Sequence, residues 1–330
     1  MSTAAPTGSA GRAGWAGVDV GGSGVRARVQ TGDGSLEGRC EVPLPRARGQ
    51  VDIPALCRNV LAQVHPLITG LGAGRLHALA LGMTGLPGLV PDPGEIAHRL
   101  FADLDVDVVV IAGDALTTHL GALDGGAGGV VAAGTGVIGL GTDHQQIWHQ
   151  VDGRGLFVGD EGSGAWIGQR GLQAALRASD GRIGGSPALW DQMQTRFGGP
   201  LDLVASIHGA EAPAGELASF APAVAEAARA GDQVAWSIWQ EAGHKLAETA
   251  VAAVRGLPGR VTWGGGLFDV GDLLIEPFRN HVQQLLPDVQ LDQPAGTGLD
   301  GAMLLAQQVA AGQVIAREPY LQVFTSTRQT

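Results

Sequence analysis

Polar and apolar positions alternate at short range near the start of the chain. Residues 15–20 (WAGVDV) and 24–30 (GVRARVQ) read as two strands around a glycine turn. The GDG at 32–34 turns the chain into a third strand near 35–42. The period then lengthens. Ile53, Leu56, Cys57, Val60, Leu61 and Val64 recur at helical spacing and predict a helix over 52–69. A strand is expected at 76–82 and a helix near 94–103. VDVVVIAG (106–113) is a continuous apolar run of the kind found in strands covered on both faces. The pattern then restarts. GVVAAGTGVIGLG (129–141) is a second strand–turn–strand, followed by helices over 163–178, 187–197, 216–230 and 232–255. Trp236 and Trp239 stand at helical spacing and are expected in the core. A strand at 260–263 leads into GGGLF (264–268), then a helix to about 286 and a last one over 298–311. Residues 312–330 read as a polar tail.

The restart is also a repeat. GVDVGGSGVRA (17–27) lies over GVVAAGTGVIG (129–139) without a gap. Gly17/Gly129, Val18/Val130, Gly22/Gly134, Gly24/Gly136 and Val25/Val137 are identical, and Ser23 matches Thr135. Two related α/β lobes follow from this, each opening with a glycine hairpin. They are expected at 15–115, closed by the helix near 298–311, and at 116–297, after a flexible segment 1–14. A cleft between duplicated lobes would suit a ligand.

Composition narrows the picture. Hydrophobic residues make up 45% of the 330, enough for real cores, and only 5% are aromatic, so aliphatic packing must fill them. The 54 glycines and 17 prolines stay below the proportion typical of disordered low-complexity chains. A formal charge of −11 argues against nucleic acid or an anionic membrane as partner. Cys40 and Cys57 fit no zinc spacing and no disulfide framework. No apolar run is long enough to span a membrane and no signal segment is visible, so a cytoplasmic protein is expected.

A glycine-rich turn can aim several backbone N–H groups at one anion and lets a phosphate approach closely. Gly21, Gly22 and Ser23 in the first turn, and Gly134, Thr135 and Gly136 in the second, are therefore candidate phosphate contacts. The alternative is a tight structural hairpin. Neither turn ends in GK[ST] or opens a helix, which excludes a Walker A loop and a dinucleotide fingerprint. Asp19 ends the first strand and could organise the waters of a Mg²⁺, or cap the turn. Asp114 follows the most hydrophobic strand, where open α/β sheets place ligands. It could take the proton of an attacking hydroxyl or cap the helix that follows, and the two roles are compatible. In GLFVGDEGSGAWIG (155–168), Asp160 could hold sugar hydroxyls or serve helix entry.

These motifs resemble the sugar kinase/Hsp70/actin superfamily and, more narrowly, the group of N-acetylglucosamine kinases and BadF/BadG-type ATPases. The resemblance runs over about 17–305. It implies a two-lobed actin-like (ribonuclease H-like) ATPase fold with a central cleft between duplicated lobes. It further implies ATP-dependent phosphorylation of an amino sugar, N-acetyl-D-glucosamine first, with ATP and Mg²⁺. Asp114 would be the base and also touch the sugar. Val137, Ile138, Gly153, Arg154, Gly155 and Asp160 would line the sugar, and Gly264, Gly265 and Gly266 the adenosine. A homodimer is expected. Mammalian-type relatives carry Asn shortly after the second GTG, where this chain has Val137 and Ile138, and Trp where it has Arg154. Free glucosamine is the alternative substrate, and a BadF-type activator ATPase the further one.

Overall fold

The computed structural model describes residues 12–22, 24–86 and 88–326. Strands β1 (Arg12–Gly21), β2 (Gly24–Thr31) and β3 (Gly34–Cys40) come first. A short ribbon, β4 (Arg46–Ala47) and β5 (Gln50–Val51), leads into α1 (Ile53–Leu71). Then follow β6 (Ala73–Met83), α2 (Pro93–Asp103), β7 (Val106–Gly113) and α3 (Asp114–Ala122). The second series opens with β8 (Gly128–Ala133), β9 (Val137–Thr142) and β10 (Trp148–Asp152). Its helices are α4 (Gly164–Ser179), α5 (Pro187–Phe197), α6 (Pro200–Gly209), α7 (Pro213–Ala218), α8 (Ala221–Arg229) and α9 (Gln233–Ala253). β11 (Arg260–Gly264), a 3₁₀ turn, α10 (Asp272–Leu285), β12 (Gln290–Leu291), α11 (Gly298–Ala310) and β13 (Leu321–Thr325) complete the chain.

Two compact units result, Met1–Thr117 with Leu299–Thr330, and Thr118–Gly298. The first unit has a six-stranded sheet in the order β13-β7-β6-β1-β2-β3. The second has five strands in the order β10-β9-β8-β11-β12. From the hairpin outward the two read alike. β1, β2 and β3 form an antiparallel meander, with β6 and β7 parallel to β1. β8, β9 and β10 repeat the meander, with β11 and β12 parallel to β8. The sequence repeat is thus a repeat of sheet topology.

Local chemistry sets the element ends. The Asp52 carboxylate accepts the Ala55 amide at 3.0 Å to start α1, and Gly72, left-handed at φ 61°, stops it. In the second unit α9 lays Ala235, Ile238, Trp239, Ala242, Leu246 and Ala250 along one buried stripe. Trp263, Phe268 and Phe278 pack edge-on and tilted beside it.

Four expectations need correction. Trp236 is 45% exposed, because it lies beside the stripe of α9 that its neighbours Ala235 and Trp239 bury. The single helix over 216–230 is two helices: Ser219 Oγ bonds back to Glu216 O, and Pro222, which has no N–H to give, starts α8. Residues 12–14, expected in a flexible segment, extend β1 and pair with β6; residues 1–11 lie outside the described residues. The polar tail supplies β13, whose alternation is too short to stand out in the sequence. It pairs antiparallel with β7, and Phe324 packs on the core of the first unit.

β13 therefore covers the free edge of the most apolar strand in its sheet. Ending the chain after Gly312 should expose that edge, lower the melting temperature by roughly 4 °C or more and promote aggregation. Thermal melts with light scattering check this, and an unchanged, monodisperse melt would contradict it.

Candidate active site

In the first unit, three neighbouring parallel strands end side by side. Asp19 pairs with Gly82, and Met83 with Gly113, so the β1, β6 and β7 ends are level. One residue past β6 stands Thr84, and one past β7 stands Asp114. The Thr84 amide donates to Val20 O at 3.0 Å, which ties this corner to the β1 end. The Thr84 side chain hydrogen-bonds the Asp114 carboxylate. α3 sits very close to the sheet here. A Cβ at Gly82 would collide with the Thr117 side chain, so only glycine lets the first turn of α3, and with it Asp114, lie where it does.

Burial pushes the Asp114 carboxyl up to about 6, and the Asp19 charge adds to this. Thr84 and the amides of Asp114 and Ala115 pull the other way. Asp19 is itself raised by burial, with Arg26 opposing. Arg26 faces it across the hairpin at 3.4 Å and is 61% exposed on its side chain. A carboxyl poised near neutrality at a strand end has the properties of a general base.

In the second unit the glycine turn is built onto a helix. The α4 amides of Gly164 and Ala165 donate to Gly134 O at 2.8 Å and Thr135 O at 3.1 Å. Ser163, fully buried, caps that helix by accepting the Trp166 amide at 3.1 Å. Each residue of the GDEGS string thus has a local task. Glu161 meets Lys245 at 3.5 Å, and Gly162 lies against α9. Asp160 is buried yet left-handed, at φ 56°, a conformation costly for a residue with a side chain. Its Oδ1 accepts the Gly155 amide at 3.2 Å, and the Val137 amide also donates to its carboxylate. Burial, then the charge of Asp152, raises the Asp160 carboxyl.

The predicted residues fall into two groups, one per unit. Asp19, Gly21, Gly22 and Asp114 gather at the strand ends of the first; Ser23 lies outside the described residues. Gly134, Thr135, Gly136, Gly153, Arg154, Gly155 and Asp160 gather in the second. Gly264 ends β11, and Gly265, at φ 90°, abuts the backbone of Ala133 just before the turn, with Gly266 beyond it. Val137 turns its side chain into the core, leaving only its amide to the site. Ile138 lies against Gly153, and Arg154 is exposed. Thr84 was missed; its position just past a strand end, matching that of Asp114, was the available signal. Asp152 was missed as well.

The family described as the BadF/BadG/BcrA/BcrD ATPase family matches over residues 16–306. An N-acetylmuramic acid/N-acetylglucosamine kinase from Clostridium acetobutylicum is 25% identical over 304 residues, which are 88% of this chain and 97% of that protein. A glucosamine kinase from Vibrio cholerae is 25% identical over 303 residues, 88% of this chain and 95% of that protein. A crystal structure from Chromobacterium violaceum, whose assignment as an N-acetylglucosamine kinase is itself provisional, is 31% identical with a TM-score of 0.65. The match covers 90% of this chain and all of that one.

The raised carboxyl of Asp114 carries a stability signature. Its neutral form is favoured in the folded state, so its cost is absent below the unfolded value of 3.8 and complete above about 6. Asp114→Asn should therefore gain stability relative to the parent as pH rises through that window, by on the order of 2 kcal/mol. Urea unfolding in EDTA at pH 3.5 and 7.5 measures it. An equal difference at both pH values would contradict the assignment.

Proposed function

Because the chain belongs to the BadF/BadG/BcrA/BcrD ATPase family, we propose that it transfers the γ-phosphoryl group of ATP to the 6-hydroxyl of N-acetyl-D-glucosamine. The protein is an ATP-dependent sugar kinase with the actin-like ATPase fold, in which one sheet topology occurs twice. The observation that carries the phosphoryl-transfer reading is Asp114, a carboxyl at the end of a buried parallel strand, pushed up to about 6 and hydrogen-bonded by Thr84. The choice of N-acetylglucosamine rests on the kinases the chain is similar to.

In this reading Asp114 accepts the proton of the 6-hydroxyl. The hydroxyl oxygen forms its bond to the γ-phosphorus as the bond from that phosphorus to the β–γ bridging oxygen breaks, and ADP leaves with the electron pair. Positioning and charge neutralisation supply most of the rate. The two glycine turns fit phosphates. A side chain begun at Gly21 or Gly134 would meet nothing within 4 Å, and Thr135 is exposed beside the latter. Asp19 fits a water-shelled Mg²⁺: burial raises its carboxyl, its charge also raises Asp114, and Arg26, the cation that opposes the rise at Asp19, is largely exposed. Mg²⁺ would neutralise the developing charge on the phosphates.

Free glucosamine is the second reading. The Ile138 side chain borders Gly153, so that position is aliphatic where mammalian-type relatives carry Asn, and an acidic site such as that of Asp160 and Asp152 suits an ammonium group. An activator ATPase with a cysteine-held cluster finds less support. Cys57 is buried inside α1, and burial pushes its thiol up to about 11.

Coupled ADP release over N-acetylglucosamine, glucosamine, glucose, N-acetylmannosamine and N-acetylmuramic acid separates these readings. N-acetylglucosamine should show the highest kcat/KM, and Asp114→Asn should lower kcat by about 10³-fold with AMPPNP binding retained. Full turnover in that variant would remove Asp114 as the base.

A further inference from the structure

The site in the second unit contains a second left-handed aspartate. Asp152, at φ 58°, closes β10 directly before the 153–155 turn. Its Oδ1 accepts the Asp160 amide at 2.8 Å. Gly159 leaves room for that carboxylate: a Cβ there would collide with Asp152 Oδ1. Asp160, held in this way, spans two turns. Oδ1 takes the Gly155 amide on one side, and the carboxylate takes the Val137 amide on the other. Oδ2 lies so close to the glycine turn that a Cβ at Gly136 would come within 2.5 Å of it. A buried carboxylate filled by backbone donors cannot yield one of them without exposing an unpaired charge, so the two turns are fixed relative to each other.

We propose that Asp152 is a positioning residue that locks Asp160 as a tie between the 153–155 turn and the 134–136 turn, so that sugar and nucleotide bind cooperatively. This rests on the reading in which the first turn meets the sugar and the second the phosphates. Because the tie joins the two turns into one unit, a ligand that holds one turn also holds the other, and the second ligand meets a turn already held. The charge of Asp152 beside Asp160, which a plain turn would avoid, is the cost of that lock.

The test compares Asp152→Asn, which keeps an acceptor for the Asp160 amide, with Asp152→Ala, which does not. Calorimetry of AMPPNP binding, with and without the best sugar from the ADP-release screen, gives the coupling. The parent should show at least about fivefold tightening of AMPPNP by sugar. Asp152→Asn should keep it, while Asp152→Ala should bring it below about twofold and raise the sugar KM by about tenfold. If Asp152→Ala does not fold, Gly159→Ala, which displaces the same carboxylate, should give the same loss. Retained coupling in the Ala variant, or equal loss in the Asn variant, would overturn the proposal. If no sugar is turned over, the kinase reading falls on its own. The tie is then read from AMPPNP alone, which the Ala variant should bind about threefold more weakly than the Asn variant; equal affinity would overturn it.

Discussion

The docking of the α4 N-terminus onto the second glycine turn is the constraint on which the site in the second unit depends. Two amides that a helix start would otherwise leave to water donate instead to Gly134 O and Thr135 O. This single contact fixes the turn's carbonyls and sets the helix that follows GDEGS. It also brings Asp160 against Gly136, where no side chain could stand. The positive end of α4 then lies at the turn proposed to hold phosphate, so the same feature supplies both geometry and field.

The first unit solves a different problem. In the proposed reading it holds the Asp114 carboxylate ready to take a proton without letting it drift. Three parallel strands ending level place Asp19, Thr84 and Asp114 in one row. The bare backbone of Gly82 lets Thr117, and α3 with it, sit close against the sheet. Burial and the neighbouring Asp19 charge raise the Asp114 carboxyl, while Thr84 and the helix amides limit the rise. A site of this kind spends stability on reactivity.

Much of this was legible in the sequence, for identifiable reasons. The ungapped match of 17–27 with 129–139 registers a repeated hairpin, and both sheets do repeat the same strand order. VDVVVIAG read as a buried strand because both of its faces are covered, and Asp114 stood out because it follows that run. What stayed hidden depended on tertiary pairing. β13 is five residues long and gains its meaning only from β7. Thr84 carries no motif and acts only because β6 ends beside β7. Asp152 carries no motif and drew no reading, since its carboxylate works on an amide eight residues away. Asp160 was expected to grip sugar hydroxyls, yet its carboxylate already receives two backbone donors. In the proposed reading it acts on the sugar through the 153–155 turn as much as by direct contact.

The most direct measurement is ³¹P NMR of the purified chain incubated with ATP, Mg²⁺ and N-acetylglucosamine. A sugar 6-phosphate resonance growing in step with ADP is the expected result. ADP and inorganic phosphate appearing at the same rate with or without sugar would contradict the account.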